Sequence, residues 1–138
     1  MEYVFFKNQI IKIYEEYPMT IKIYSYPKCS TCRKAIKFLE NAGVAFETLD
    51  ITVNPPSRSE LANMLENSGG DLRKLFNTSG LVYRELQLSA KLPTMSTEDA
   101  MKLLASNGKL VKRPFLVVNG SPVAVGFNEV QWKKLLAK

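Results

Sequence analysis

At 138 residues, 46% hydrophobic and 23% charged, the chain is long enough for one domain with a buried core and too apolar for intrinsic disorder. It has a net charge of +6, two cysteines and no histidine, which excludes Ser-His-Asp and Cys-His catalysis, Cys₂His₂ zinc and a multi-disulfide secreted framework. Two cysteines cannot complete a Cys₄ site within one chain either. No apolar stretch approaches the roughly 18–20 residues that span a bilayer, and the N-terminus is too broken by charge for a signal-peptide core, so a cytoplasmic protein with no membrane partner is expected.

Residues 1–18 fit the pattern of the remaining chain poorly. "YVFFKNQIIKIYEEYP" reads as an extra strand or a short helix, an N-terminal extension whose exposed aromatics would suit a dimer contact. "TIKIYSY" (20–26) and "AFETLDITV" (45–53) alternate β-branched or aromatic with polar residues and read as strands. Between them Ala35, Ile36, Phe38, Leu39 and Ala42 keep helical spacing and Gly43 is a natural stop, so the spacing predicts an amphipathic helix over 30–42. This is a β-α-β unit, whose crossover joins parallel strands.

From residue 54 the pattern turns helical. Ser57 with Glu60 forms a capping box and Gly69-Gly70 ends that segment. Short helices are predicted at 71–76, 80–87 and 96–106, the last opened by Ser96 and Asp99 and stopped by Asn107-Gly108. The sheet resumes with "PFLVV" (114–118), an Asn119-Gly120 turn of the kind hairpins prefer, and "SPVAVG" (121–126). A last helix over 128–136 carries Val130, Leu135 and Leu136 on its apolar side with Trp132. The order is that of an α/β thioredoxin-like (glutaredoxin-like) fold: a four-stranded mixed sheet with an inserted helical subdomain at about 57–108, in a single domain over 19–138.

The positive charge favours acidic or anionic partners. Its densest groups, "KLVKR" at 109–113 and Lys133-Lys134, sit in no repeat or low-complexity arm. Direct nucleic-acid binding is therefore not expected, and a solvated surface accounts for the charge.

The two cysteines stand three positions apart in "YPKCSTCRKA" (26–35), where the first strand ends and the helix begins. Cys29 falls at or just before the N-cap, where unpaired N–H groups and the positive end of the helix dipole favour an anion. Lys28, Arg33 and Lys34 add cationic charge. Cysteines so placed have pKa values lowered from about 8.5 to roughly 3.5–7.5, so Cys29 is the expected nucleophile. Cys32, one turn on, is placed to attack a mixed disulfide on Cys29 and release the partner thiol. The alternatives are half of a metal site shared between chains, or two buried cysteines that merely pack. Strand, cysteine pair and helix in a β-α-β unit favour redox chemistry over both. In "KRPFLVV", Pro114 heads a strand and is the candidate for the cis-proline that faces the attacking cysteine in such folds. Arg113 would then aim its guanidinium at Cys29.

Taken together, "YPKCSTCRKA", "NPPSRSEL", "LVYREL", "LLASNGKLVKRPFLV" and "VGFNE" resemble the arsenate-reductase-related, glutaredoxin-like proteins that also include the Spx-type transcriptional regulators. The resemblance covers 20–138 and agrees with the fold read from the element order. It implies a cytoplasmic thiol–disulfide oxidoreductase, arsenate reductase-like, with Cys29, Cys32 and Arg113 as catalytic residues and Pro114, Ser30, Thr31 and Arg33 as substrate contacts. The substrate would be a small oxyanion or a disulfide. No metal and no bound cofactor are implied; glutathione, glutaredoxin or thioredoxin would donate electrons. The family's arsenate reductases use three arginines. Arg113 matches one, whereas the others fall on Asn77 and near Gly126, which predicts weak arsenate reduction. The second cysteine agrees with the Spx-type members, and the alternative implied is a redox-sensing regulator that binds RNA polymerase.

Overall fold

The computed structural model describes residues 3–6, 9–12 and 19–137, the first two segments by their backbone alone. Those segments are strands β1 (Tyr3–Phe6) and β2 (Gln9–Lys12), antiparallel with Tyr3 opposite Lys12, in a sheet of their own. The expected single strand or helix is thus corrected to a strand pair. β-branched and aromatic residues on both sides of Lys7-Asn8 favour two short strands over one helix. The aromatic side chains expected to suit a dimer contact lie outside the described part of the structure.

The main sheet contains β3 (Ile21–Ser25), β4 (Glu47–Asp50), β5 (Phe115–Val118) and β6 (Ser121–Val125) in the order β4-β3-β5-β6. β4 runs parallel to β3, β5 antiparallel to β3 with Tyr24 opposite Phe115, and β6 antiparallel to β5. This is the mixed four-stranded thioredoxin-like sheet that the element order predicts. Asn119 (φ 51°) and Gly120 (φ 78°) both take the positive φ that a two-residue hairpin turn needs.

Period-two alternation distributes the strand side chains between two cores. On one face Ile21, Ile23, Leu116 and Ala124 pack with Ala35 and Leu39 of helix α1 (Ser30–Asn41) and Trp132 of helix α6 (Glu129–Leu136). On the other, Tyr24, Phe115 and Val117 meet the insert. At about 25 cal/mol per Å² of apolar surface removed from water, these layers supply the main force that seats α1 on the sheet. Val130 is a correction: it is 65% exposed, because it lies two residues, some 200° of helix, from Trp132.

The insert runs through α2 (Arg58–Asn67), a 3₁₀ turn (Leu72–Leu75), α3 (Leu81–Glu85), α4 (Leu88–Lys91), a 3₁₀ turn (Leu92–Thr94), α5 (Thr97–Ser106) and a 3₁₀ turn (Gly108–Leu110). The segment 88–94 is helical where no element was predicted. Gln87, in the left-handed region (φ 54°), ends α3 and starts α4, and Leu88 and Leu92, four apart, both turn into the core. Gly108 does more than stop α5: a Cβ there would run into the carbonyl of Ile51, just beyond β4. Only glycine lets the two chain segments approach so closely. Among the described residues, no helix is long and apolar enough to cross a membrane.

Candidate active site

The end of β3 turns into α1 through Tyr26, Pro27 and Lys28. The Cys29 N–H donates to the Tyr26 carbonyl at 2.9 Å. The Arg33 guanidinium donates to the Pro27 carbonyl at 2.9 Å and so clips the turn. Cys29 is the N-cap of α1, extended at φ −92° and ψ 116°, and its Sγ accepts the Cys32 N–H at 3.4 Å. A sulfur is therefore the cap, and no acidic side chain occupies the first turn. Both cysteines are free thiols, Cys29 half-buried and Cys32 fully buried.

The two thiols ionise very differently. Partial burial pushes the Cys29 thiol up, but hydrogen bonds from Cys32 and the charge and hydrogen bonding of Arg113 outweigh it, leaving Cys29 below the usual thiol range. Burial pushes the Cys32 thiol up to about 12, and its hydrogen bond to Cys29 adds to the rise. One thiolate at Cys29, backed by a thiol that stays protonated until Cys29 is consumed, is the order of ionisation that a nucleophile and a resolving partner need.

Arg113 arrives from the other side of the cleft. The Arg113–Pro114 peptide bond is cis. The guanidinium lies over the Tyr26 ring, 4.8 Å from its centroid, a contact that holds its plane beside Cys29. Its Nη1 is buried and has no hydrogen-bond partner among the described residues. A buried cationic donor in that state is costly unless an anion meets it.

A cavity of about 340 Å³ opens between these groups, lined by Tyr26, Lys28, Cys29, Ser30, Thr31, Asn77, Ser79, Gly80, Lys112 and Arg113. Of the residues singled out from the sequence, Cys29, Ser30, Thr31 and Arg113 come together here. Cys32 lies behind Cys29 within hydrogen-bond reach, Pro114 is buried at the back, and Arg33 is exposed and engaged with the turn instead of the cavity. The lining contains three cations and no carboxylate.

Ser79, Gly80 and Lys112 escaped the sequence reading as site residues, and Asn77 entered it only as the place of a missing arginine. Long-range pairing brings them in. Phe76 bridges Val111 antiparallel, the Asn77 N–H donates to the Leu110 carbonyl at 2.8 Å, and the Lys112 N–H donates to the Leu75 carbonyl at 2.8 Å. The only local signal was the basic pair Lys112-Arg113. Lys112 also profits from Gly126, since a Cβ at 126 would stand 3.3 Å from the Lys112 Cε. The lysine stem thus fills space that a side chain at 126 would need. Among the described residues no group of three His, Cys, Asp or Glu side chains is placed to hold a metal ion.

Residues 24–135 match the ArsC family. The uncharacterized protein YusI of Bacillus subtilis is 50% identical over 84% of this chain and 98% of its own length. An arsenate reductase of Rhizobium meliloti is 33% identical over 72% of this chain and 69% of its own, and a global transcriptional regulator Spx of Streptococcus agalactiae 28% identical over 86% and 84%. Among solved structures, a possible arsenate reductase from Streptococcus mutans superposes with a TM-score of 0.74 at 48% identity, covering 78% of this chain and 91% of that one.

Proposed function

The chain belongs to the ArsC family, and from that premise we propose that it is a thiol–disulfide oxidoreductase in which Cys29 attacks and Cys32 resolves. The observation that carries this reading is the half-buried, sulfur-capped helix start: Cys29 Sγ faces a cationic cavity while the buried Cys32 stands 3.4 Å away by its N–H. The Cys29 thiolate forms a bond to one sulfur of an oxidised substrate as the substrate's own S–S bond breaks, and the departing thiolate takes a proton. Cys32 then loses its proton and attacks the Cys29 sulfur, so that the second substrate thiol leaves. The substrate gains two electrons and two protons, and the chain is left with a Cys29–Cys32 disulfide. A thiol donor of the glutathione, glutaredoxin or thioredoxin class returns the electrons in a reducing compartment, the cytoplasm.

Arg113 lowers the cost of the first thiolate and offers its unpartnered Nη1 to an anionic group of the substrate. Ser30 and Thr31 line the cavity, and Pro114, buried next to Arg113, fixes where that arginine stands just before β5. An arsenate dianion would meet Arg113 with the lysines Lys28 and Lys112, not the three arginines of the family's arsenate reductases, whose bidentate contacts lysine does not reproduce; Asn77 supplies no charge and Gly126 no side chain. A disulfide is the better substrate for this cavity. The test is a single turnover of the reduced protein with glutathione disulfide and with arsenate, followed by mass spectrometry of the Cys29 to Cys32 peptide. Rapid intramolecular disulfide formation with glutathione disulfide, reversed by a thiol donor, is expected. No reaction with either oxidant sinks the reading.

The relation to Spx, carried over 86% of this chain, supports a second reading, in which the same cysteine pair is a redox switch for RNA polymerase binding. It is favoured if the disulfide forms and is never turned over.

A further inference from the structure

A second cavity of about 390 Å³ adjoins the first and is lined by Asp71, Arg73, Lys74, Phe76, Thr78, Lys112 and Val125. Two features join it to the cysteine cavity. Lys112 lines both. The segment 76–79 lies between them, with Asn77 and Ser79 lining the Cys29 side and Phe76 and Thr78 the other, where the chain turns and the Gly80 N–H donates to the Asn77 carbonyl at 3.1 Å.

The charge of this second cavity is one-sided. Arg73, Lys74 and Lys112 face it, none of them in an ion pair with a described residue. The single carboxylate, Asp71, is engaged locally, accepting the Arg73 N–H at 3.1 Å. A small oxyanion or a small uncharged disulfide such as hydroxyethyl disulfide engages the first cavity and gains nothing from the second. A substrate that extends past its reacting sulfur and presents a carboxylate reaches both.

We infer that the oxidised substrate is a polypeptide whose reacting cysteine is flanked by acidic side chains, which seat in the cavity of Arg73, Lys74, Thr78 and Lys112 while its sulfur meets Cys29. The inference deepens the reductase reading and rests on it for the chemistry. Electrostatic complementarity of this kind acts mainly on partner choice and capture rate. Arg73 and Lys74 are specificity residues that touch neither cysteine.

The experiment compares two synthetic peptides, each with one cysteine as a mixed disulfide with a small thiol and identical except that the flanking residues are aspartates in one and lysines in the other. Hydroxyethyl disulfide reports the cysteine chemistry alone. The wild-type chain is expected to reduce the aspartate peptide about tenfold faster in kcat/KM than the lysine peptide, and in the Arg73→Gln, Lys74→Gln double variant that ratio falls to about one. In parallel, unreactive versions of the peptides, with serine for cysteine, are titrated by NMR. The aspartate peptide is expected to move the amide resonances of Arg73, Thr78 and Lys112. Equal rates for both peptides and unmoved amides, with hydroxyethyl disulfide still reduced, overturn the acidic seat and leave the reductase standing. Amide shifts specific to the aspartate peptide with no disulfide reduced keep the seat and overturn the reductase. Inorganic phosphate moving the same amides as strongly as the peptide makes the cavity a small-anion site and overturns the polypeptide assignment.

Discussion

Helices α1 and α2 both begin after a strand of the same parallel pair, yet their N-termini are finished in opposite ways. At α2 the Ser57 hydroxyl accepts the Glu60 N–H at 3.1 Å and the Glu60 carboxylate accepts the Ser57 N–H at 3.0 Å. That carboxylate also accepts the Tyr24 hydroxyl at 2.7 Å and pairs with Lys22 at 2.7 Å. At α1 one sulfur accepts one N–H at 3.4 Å, and no carboxylate answers the helix dipole. Oxygen caps contribute about 1 kcal/mol of stability each; a sulfur is a weaker acceptor, so the positive end of α1 stays available to a thiolate or an incoming anion. The first terminus is built for stability, the second keeps its field for chemistry.

The largest effect comes from giving α1 an oxygen cap. Cys29→Ser is expected to abolish disulfide reduction and, at acid pH where Cys29 is a neutral thiol, to raise thermal stability by up to about 1 kcal/mol, a gain that shrinks as pH rises and the wild type acquires the thiolate's contribution; calorimetry at several pH values and a turnover assay check both halves, and a loss of stability in acid would contradict the capping argument. Cys32→Ser is expected to stop the cycle one step later, trapping a mixed disulfide on Cys29 that mass spectrometry detects. In the native wild-type chain near pH 7, alkylation should label Cys29 and spare Cys32, whose thiol is buried and pushed up to about 12.

A smaller change comes from weakening the field without touching the thiols. Arg113→Gln removes the charge that helps hold Cys29 low, so the titration of Cys29 alkylation moves to higher pH and the rate at pH 7 falls roughly three- to tenfold. A profile that stays in place would relieve Arg113 of that role. The sign for stability runs the same way: Cys29 is lowered on folding, so its contribution is present above the unfolded thiol pKa and is lost as pH falls through the folded one.

The effect at the other terminus falls on stability and leaves the chemistry alone. Burial pushes the Glu60 carboxyl up, but hydrogen bonds from Lys22, the Ser57 amide and Tyr24 outweigh it and hold it below the ordinary value. Glu60→Gln is therefore expected to cost about 1–2 kcal/mol at neutral pH. The wild type loses that margin as pH falls from the ordinary carboxylate range through the lower folded value, so the two chains converge in acid, which urea titrations at several pH values would show. The Cys29 titration should not move.

How legible these termini were depends on how local their determinants are. The capping box at Ser57 and Glu60 and the cysteine pair at the start of α1 are patterns within four residues, and the sequence places both correctly. Val130 was misplaced because a helical wheel read from residues alone does not say which arc meets the sheet; Trp132, the larger side chain, takes the buried position. Residues 88–94 went unread because Gln87 carries no turn signature, although its left-handed backbone lets Leu88 and Leu92 reach the core. Gly108 was legible as a stop, and its close approach to Ile51 was not.

By itself the sequence determined the order of the four main strands and of most helices, the cysteine pair at a helix start and the proline that heads β5, because alternation, helical spacing and caps act over a few residues. Only the tertiary structure decided what joins Arg113 around Cys29. The 76–79 segment and Lys112 reach the cavity through pairing between 75–77 and 110–112, and the Arg113 plane is fixed by Tyr26 from a distant strand end. Such contacts are set by how packed layers share one core, a property that no short stretch of the chain encodes.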